Sequence, residues 1–306
     1  MDFEHLPGAW VVCWTDMRAS RVIAVIPARF ASTRLPGKPL LPILGGEPMI
    51  VHTIRAALAA QTVAQVVVAT DHDGIADAAE RAGARAVLTD SAIPTGTDRV
   101  AAALREMGAE TEVVVNVQGD EPLIQPSSID LVANLLLDQP MADMATLSAP
   151  LLPDALLDPH KVKVVCNDTM TGAYGRYARA LFFSRAPIGV DRDALLRLLQ
   201  SDETEEHSTR ESSGAGEEPQ MPHNVAAHAC RLHVGLYAFR SASLHRFVSL
   251  PPSPLERLER LEQMRALEDG MHILVGEIDA HARGVDTWED VRVLEEEWAR
   301  QTGASA

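Results

Sequence analysis

Arg29, Arg34 and Lys38 fall within ten residues of one another in the segment Pro27-Ala28-Arg29-Phe30-Ala31-Ser32-Thr33-Arg34-Leu35-Pro36-Gly37-Lys38-Pro39. Three cations interleaved with small hydroxyl residues and a glycine can surround a polyphosphate, the cations through charge and the backbone N–H groups through close approach. The spacing is neither G-x-x-x-x-G-K-[ST] nor G-x-G-x-x-G, so this is not a Walker loop or a dinucleotide fingerprint. A solvated basic loop is the plain alternative, but such crowding of cations in an acidic protein favours a phosphate cradle.

Two aspartates could supply the counterpart. Asp120 lies in Gln118-Gly119-Asp120-Glu121-Pro122, and Asp286 in Gly284-Val285-Asp286-Thr287. Magnesium takes one or two protein carboxylates and completes its shell with water and phosphate oxygens, so this pair would suffice as metal ligands. Each aspartate also has a structural reading. Asp120 could stabilise a turn, and Asp286 could cap the helix that follows it.

These residues need a frame. The first half alternates β-branched runs, Val22–Ile26, Val66–Ala69, Ala86–Leu88 and Val113–Val117, with amphipathic stretches Met49–Ala60, Ile75–Ala82 and Arg99–Met107. This βαβα order predicts an α/β fold with a mostly parallel sheet and helices on both faces. Ligands then bind beyond the carboxyl ends of the strands. The polar groups obey that rule: Arg29 follows the first run, Thr70-Asp71-His72 the second, and Gln118 to Asp120 the last.

From Met144 the pattern changes to strand-like runs, Met144–Ala149, Val162–Cys166, Ala180–Ser184 and Arg231–Phe239, which predict an antiparallel extension. A helix is expected from Pro254 to Leu267, a strand over His272–Ile278 and a final helix from Trp288. Residues 201–223 lack hydrophobic period and are expected to form a disordered acidic insertion; Ser201 to Glu218 alone carries seven acidic residues against one basic. The chain thus divides into an extension over 1–20 expected to be disordered, a main domain over 21–300 and a flexible tail over 301–306.

A formal net charge of −16 over 306 residues argues against nucleic acid as a partner. Three widely spaced cysteines fit a reducing compartment, and no export signal or membrane helix is expected, so the reading is cytoplasmic without membrane insertion.

The cation loop, the Gln-Gly-Asp-Glu-Pro turn and Gly284-Val285-Asp286-Thr287 together resemble the 3-deoxy-manno-octulosonate (Kdo) cytidylyltransferases. The resemblance runs from about Arg21 to Glu295. It includes Ala69-Thr70-Asp71-His72, Gly96-Thr97-Asp98-Arg99, Val162-Lys163-Val164-Val165, Phe183-Ser184-Arg185-Ala186, His233-Val234-Gly235-Leu236-Tyr237 and Ser253-Pro254-Leu255-Glu256 continuing to Glu262-Gln263. It implies a Rossmann-like nucleotidyltransferase, active as a homodimer, that joins CMP from CTP to the anomeric hydroxyl of Kdo and releases pyrophosphate for lipopolysaccharide assembly.

By the same resemblance, Arg29, Ser32, Thr33 and Lys38 hold the triphosphate, and Arg34 joins them as the loop's third cation. Asp71, Arg99 and Gln118 complete the nucleotide site, and Asp120 and Asp286 bind Mg2+. Arg29, Lys38, Asp120 and Asp286 make up the catalytic set. Arg185, His233, Tyr237, Glu262 and Gln263 form the sugar pocket, with Arg185 suited to the substrate carboxylate. Read by themselves, His233 and Tyr237 could be core residues of a strand, and Glu256, Glu259, Glu262 and Arg265 a solvated helix face. A cytidylyltransferase for sialic acid or methylerythritol phosphate, or a silent nucleotide sensor, are the rival readings.

Overall fold

Strand β1 (Val22–Ala28) is apolar at every position because it lies mid-sheet with helices on both sides. Val22, Ala24 and Ile26 enter one core, Ile23 and Val25 the other. The computed structural model describes residues 21–302 except 32–34, 153–154, 191, 194–195, 197–229 and 282–283. The expected extension over 1–20, the insertion over 201–223 and residues 303–306 of the tail therefore lie outside the described residues.

After β1 come the short hairpin β2 (Pro42–Ile43) and β3 (Glu47–Pro48), then α1 (Met49–Ala59), β4 (Gln65–Thr70), α2 (Asp73–Arg81), β5 (Arg85–Leu88), α3 (Gly96–Met107), β6 (Val113–Asn116) and α4 (Pro126–Asp138). The four strands β5-β4-β1-β6 are parallel, as the alternation predicts. Helix α4, which the pattern reading did not single out, covers the same face as α1 and α2 through Ile129, Val132 and Leu136. Helix α3 covers the other face through Val100 and Leu104. It starts where Thr95 accepts the Asp98 N–H and ends at Gly108, whose φ of 57° suits a left-handed cap.

The second half supplies β7 (Met144–Ala149), β8 (Lys163–Cys166), β9 (Met170–Gly172), β10 (Gly175–Ser184), β11 (Cys230–Arg240), α5 (Ser241–Ser249), α6 (Pro254–Glu259), α7 (Gln263–Glu268), β12 (Ile273–Glu277) and α8 (Trp288–Thr302). The sheet continues in the order β6-β11-β7-β12-β10-β8, antiparallel except for β7 with β12. Because β8 also pairs with β11, the last five strands close on themselves. The parallel part is thus four strands wide, and the antiparallel extension is larger than it.

Two boundaries differ from expectation. The helix expected over Pro254–Leu267 is broken into α6 and α7 because Arg260 adopts φ 55°, ψ 45°, left-handed geometry that stops a right-handed helix. Glu262 and Gln263 therefore begin a new helix, and no continuous solvated face runs through Glu256, Glu259, Glu262 and Arg265. The closing helix α8 runs through Thr302, two residues past the domain end placed at 300.

Candidate active site

The ends of β1 and β6 and the start of α3 open onto a cleft of about 430 Å³. Arg29, Lys38, Arg99, Gln118, Asp120 and Asp286 line it, so residues spread over more than 250 positions of sequence converge at one sheet edge. Ser32, Thr33 and Arg34 lie outside the described residues.

Lys38 is the centre of this convergence. Its Nζ lies 2.7 Å from Asp120 Oδ2 and 2.9 Å from Asp286 Oδ1. The Lys38 side chain is only 11% exposed, against 40% and 49% for the two aspartates. Burial of the backbone around it explains the placement. Leu35 and Val285 pack in one small core with Ile43, Met49 and Leu294, which ties the cation loop to the Asp286 loop. The Val285 N–H donates to the Asp120 carbonyl at 2.9 Å, fastening the third segment. Gly119 allows the approach: a Cβ there would stand 3.2 Å from the Pro27 carbonyl oxygen.

The capping alternative for Asp286 is resolved by its neighbours. Thr287 and Asp290 make the reciprocal cap of α8: Thr287 Oγ1 accepts the Asp290 N–H at 3.2 Å, and Asp290 Oδ2 accepts the Asp286 and Thr287 N–H groups. The carboxylate of Asp286 is left to face Lys38. Two hard carboxylates meeting at one positive charge form a donor set that fits magnesium.

Asp71 sits differently from its expected role. Its Oδ1 accepts the Phe30 N–H at 3.0 Å and its Oδ2 faces Arg99 Nη2 at 3.4 Å, so it holds the loop and Arg99 in place rather than presenting a free carboxylate. The Phe30 ring stacks on His72 at 4.0 Å, a second tie between loop and strand end. Arg99 also donates to Thr89 at 2.6 Å and is 2% exposed, yet it reaches the cleft wall.

On the sugar side, the His233 ring lies between Phe183 at 5.0 Å and Tyr237 at 5.5 Å. Thr146 has one hydroxyl proton, directed to the Val234 and Leu236 carbonyls, so at the 3.0 Å contact His233 Nε2–H must be the donor. In the neutral ring this leaves Nδ1 as an acceptor. Desolvation, helped by nearby His281, pushes its pKa down to about 3. Tyr237 is pushed well above its ordinary value by burial and by Glu262 and Glu121. Glu262 is raised by burial, though it accepts a 2.5 Å hydrogen bond from Thr97. Gln263 is buried, and its Nε2 has no partner among the described residues.

Two nitrogens of the Arg185 guanidinium are engaged by backbone carbonyls. Its Nε donates to the Glu259 carbonyl and its Nη1 to the Pro159 carbonyl, both at 3.0 Å, while its own carbonyl accepts from the buried ammonium of Lys163. It fastens the loop before β8 to the end of α6.

A neutral, half-buried histidine predicts a direction of pH dependence. The unfolded chain takes up the His233 proton near pH 6.5, whereas the folded protein resists it until about 3. Stability from this residue is complete above that window and falls as pH drops through it, by at most about 1.4 kcal/mol per pH unit. Urea unfolding between pH 7 and 5 should show this slope, and His233→Gln should flatten it.

Sequence reading passed over Asn116, Thr97, Glu121 and His281 as site residues. Asn116 carried a signal, being the one amide in the apolar run Val113–Val117. Glu121 lies beside Asp120 with Oε2 sealed from solvent and Oε1 3.7 Å from His281; burial, then the charge of Asp120, pushes its pKa up to about 8.

A parallel sheet with cations and paired carboxylates beyond its strand ends defines a nucleotide-binding enzyme of the nucleotidyltransferase class. The sequence matches the family described as Cytidylyltransferase over residues 23–273. The 3-deoxy-manno-octulosonate cytidylyltransferase of Bdellovibrio bacteriovorus is 39% identical over 277 residues, covering 90% of this chain and 96% of that protein. The enzyme of the same name from Azorhizobium caulinodans is 45% identical over 274 residues, with 89% and 93% covered. A solved structure of CMP:2-keto-3-deoxy-manno-octonic acid synthetase complexed with CTP aligns with a TM-score of 0.75 at 33% identity, covering 92% of this chain and 100% of that one. The chain belongs to the 3-deoxy-manno-octulosonate cytidylyltransferase family.

Proposed function

We propose that this protein transfers CMP from CTP to the anomeric hydroxyl of Kdo, releasing pyrophosphate, in the cytoplasm and in service of lipopolysaccharide synthesis. The observation that carries the reading is the meeting of Lys38 with Asp120 and Asp286 at the cleft of a chain whose 33% identical structural relative is complexed with CTP. The reaction is nucleotidyl transfer, in which positioning and charge neutralisation supply most of the acceleration.

Arg29 and Lys38 take the triphosphate, while Arg99 and Gln118 line the remainder of the nucleotide cleft. Asp120 and Asp286 would hold magnesium together with phosphate oxygens. When bound, that ion supplies positive charge at the α-phosphate and lowers the pKa of the attacking hydroxyl. His233 Nδ1, Tyr237, Glu262 and Gln263 offer the donors and acceptors that a polyhydroxylated acid needs. Arg185 holds the substrate carboxylate by exchanging for it the Glu259 and Pro159 carbonyls that it now binds.

A homodimer is part of the proposal. Met170, Tyr174 and Leu181 on the β9–β10 arm are between 43% and 49% exposed, apolar side chains that a second copy could cover.

The test is pyrophosphate release from CTP with magnesium and, in parallel, Kdo, sialic acid or methylerythritol phosphate, with Asp120→Ala as control. Release with Kdo alone, lost in the control, is expected. Release with another acceptor would overturn the sugar assignment, and none with any acceptor would leave a nucleotide-binding protein without turnover.

A further inference from the structure

Four polar side chains run in single file from the nucleotide cleft into the core between β6 and α3. Gln118 Nε2 donates to Asn116 Oδ1 at 3.1 Å, Asn116 Nδ2 donates to Thr97 Oγ1 at 3.2 Å, and Thr97 Oγ1 donates to Glu262 Oε1 at 2.5 Å. Asn116 is 0% and Thr97 1% exposed, so solvent does not compete for these bonds.

The sense of the chain follows from the charge on Glu262: burial raises its pKa, and above that pKa the ionised carboxylate only accepts, so the single proton of the Thr97 hydroxyl goes to Glu262. Thr97 Oγ1 is therefore an acceptor towards Asn116 and must meet its NH2 end. The Asn116 carbonyl then faces Gln118 and must meet an NH2 as well. With its NH2 turned inward, Gln118 shows its carbonyl oxygen to the cleft that it lines.

We propose that Thr97 and Asn116 are positioning residues that hold Gln118 with Oε1 towards the nucleotide, so that the cleft demands a hydrogen-bond donor from its ligand at that point. This rests on the reading of the cleft as the CTP site. CTP carries two kinds of suitable donor, the exocyclic amine of the base and the ribose hydroxyls. UTP replaces the amine with a carbonyl oxygen that would oppose Oε1, and 2′-deoxy-CTP lacks one hydroxyl. Neither Thr97 nor Asn116 lines the cleft, so their influence passes through Gln118.

The experiment compares CTP, UTP and 2′-deoxy-CTP as ligands, by Kd from calorimetry, and as substrates, by kcat and KM from pyrophosphate release. Wild type, Thr97→Val and Thr97→Ser are measured, with melting temperatures as a check on folding. Wild type is expected to disfavour one of the two analogues by about tenfold or more, the worth of one well-made hydrogen bond or one opposed pair of acceptors. Thr97→Val keeps the side-chain shape but frees the amides to turn. It should narrow that ratio about tenfold through Kd and KM rather than kcat, and Thr97→Ser should restore it.

A ratio that narrows for UTP would place the base amine at Gln118, and one that narrows for 2′-deoxy-CTP would place the ribose there. A folded Thr97→Val with both ratios unchanged would overturn the proposal; should it fail to fold, Thr97→Ala breaks the same link and is judged in the same way. CTP bound by wild type with no discrimination would sink this inference alone, whereas no binding of CTP would remove the reading beneath it.

Discussion

Lys38→Met should lower kcat about a hundred- to a thousandfold, the usual cost of removing one preorganised charge from a polar transition state. Lys38 touches both carboxylates, so its loss would act in two ways. It would leave Asp120 and Asp286 facing each other without a cation, a repulsion of about 4 kcal/mol for charges 4 Å apart at an effective dielectric of about 20, reduced here because both side chains are half-exposed. It would also remove a cation from the triphosphate. Magnesium separates the two effects, since an ion taken up by the aspartates relieves the first and not the second. The deficit is expected to persist at saturating magnesium in a pyrophosphate-release assay, with Lys38→Arg partly active. Full recovery with added magnesium would confine Lys38 to holding the carboxylates.

The convergence on Lys38 was legible because two rules of the sequence agreed. β-Branched runs alternating with helical stretches set a parallel sheet, and the sheet's geometry assigns ligands to its carboxyl edge, which is where Arg29, Gln118 and Asp120 stand in the chain. Asp286 was legible as a candidate but not as a partner of Lys38. That contact depends on Leu35 and Val285 sharing a core across 250 residues, and no local pattern encodes such a meeting.

The sugar side was legible mainly through resemblance, and the reasons are physical. His233 and Tyr237 alternate with apolar residues on β11 as core residues do; their chemistry comes from a bulge between Val234 and Tyr237, which frees two carbonyls for the Thr146 hydroxyl and so sets the His233 proton. Asp71 and Arg185 are charged residues in the expected places, but Asp71 is engaged by the Phe30 N–H and the Arg99 guanidinium and Arg185 by two backbone carbonyls, which only coordinates can reveal. The break at Arg260 was hidden for a related reason. No glycine or proline marks it, and positive φ is uncommon for a residue other than glycine; contacts between the two helices span the break.

Those contacts lead to the second large effect, expected for Glu256→Ala. Arg265 is 5% exposed and binds Glu256 through two parallel bonds, Nε to Oε2 at 2.8 Å and Nη2 to Oε1 at 2.6 Å. Its guanidinium lies 4.9 Å from the centre of the Phe247 ring and also donates to the Leu250 carbonyl. Removing the carboxylate strands a buried cation, which costs about 3–5 kcal/mol. It also opens the capping box in which Ser253 Oγ accepts the Glu256 N–H and Glu256 accepts the Ser253 N–H. Urea unfolding at pH 7 should register the loss, with Glu256→Gln intermediate.

The pH dependence distinguishes the ion pair from simple truncation. Burial raises the Glu256 carboxyl, but hydrogen bonds from Arg265 and Ser253 outweigh it and hold the group below its ordinary value of 4.5. A depressed pKa contributes stability above 4.5 that is lost as pH falls through the folded value. Wild type and Glu256→Ala should therefore converge as the medium is acidified. A gap that stayed constant would mean that the cap and the packing, rather than the charge, hold α6 against α7. The stakes reach the site, because the pairing of α6 with α7 across the Arg260 break sets where Glu262 begins its helix and hence where it meets Thr97. Glu256→Ala should accordingly raise KM for the acceptor and, through the chain from Glu262 to Gln118, narrow the nucleotide ratios in the same sense as Thr97→Val.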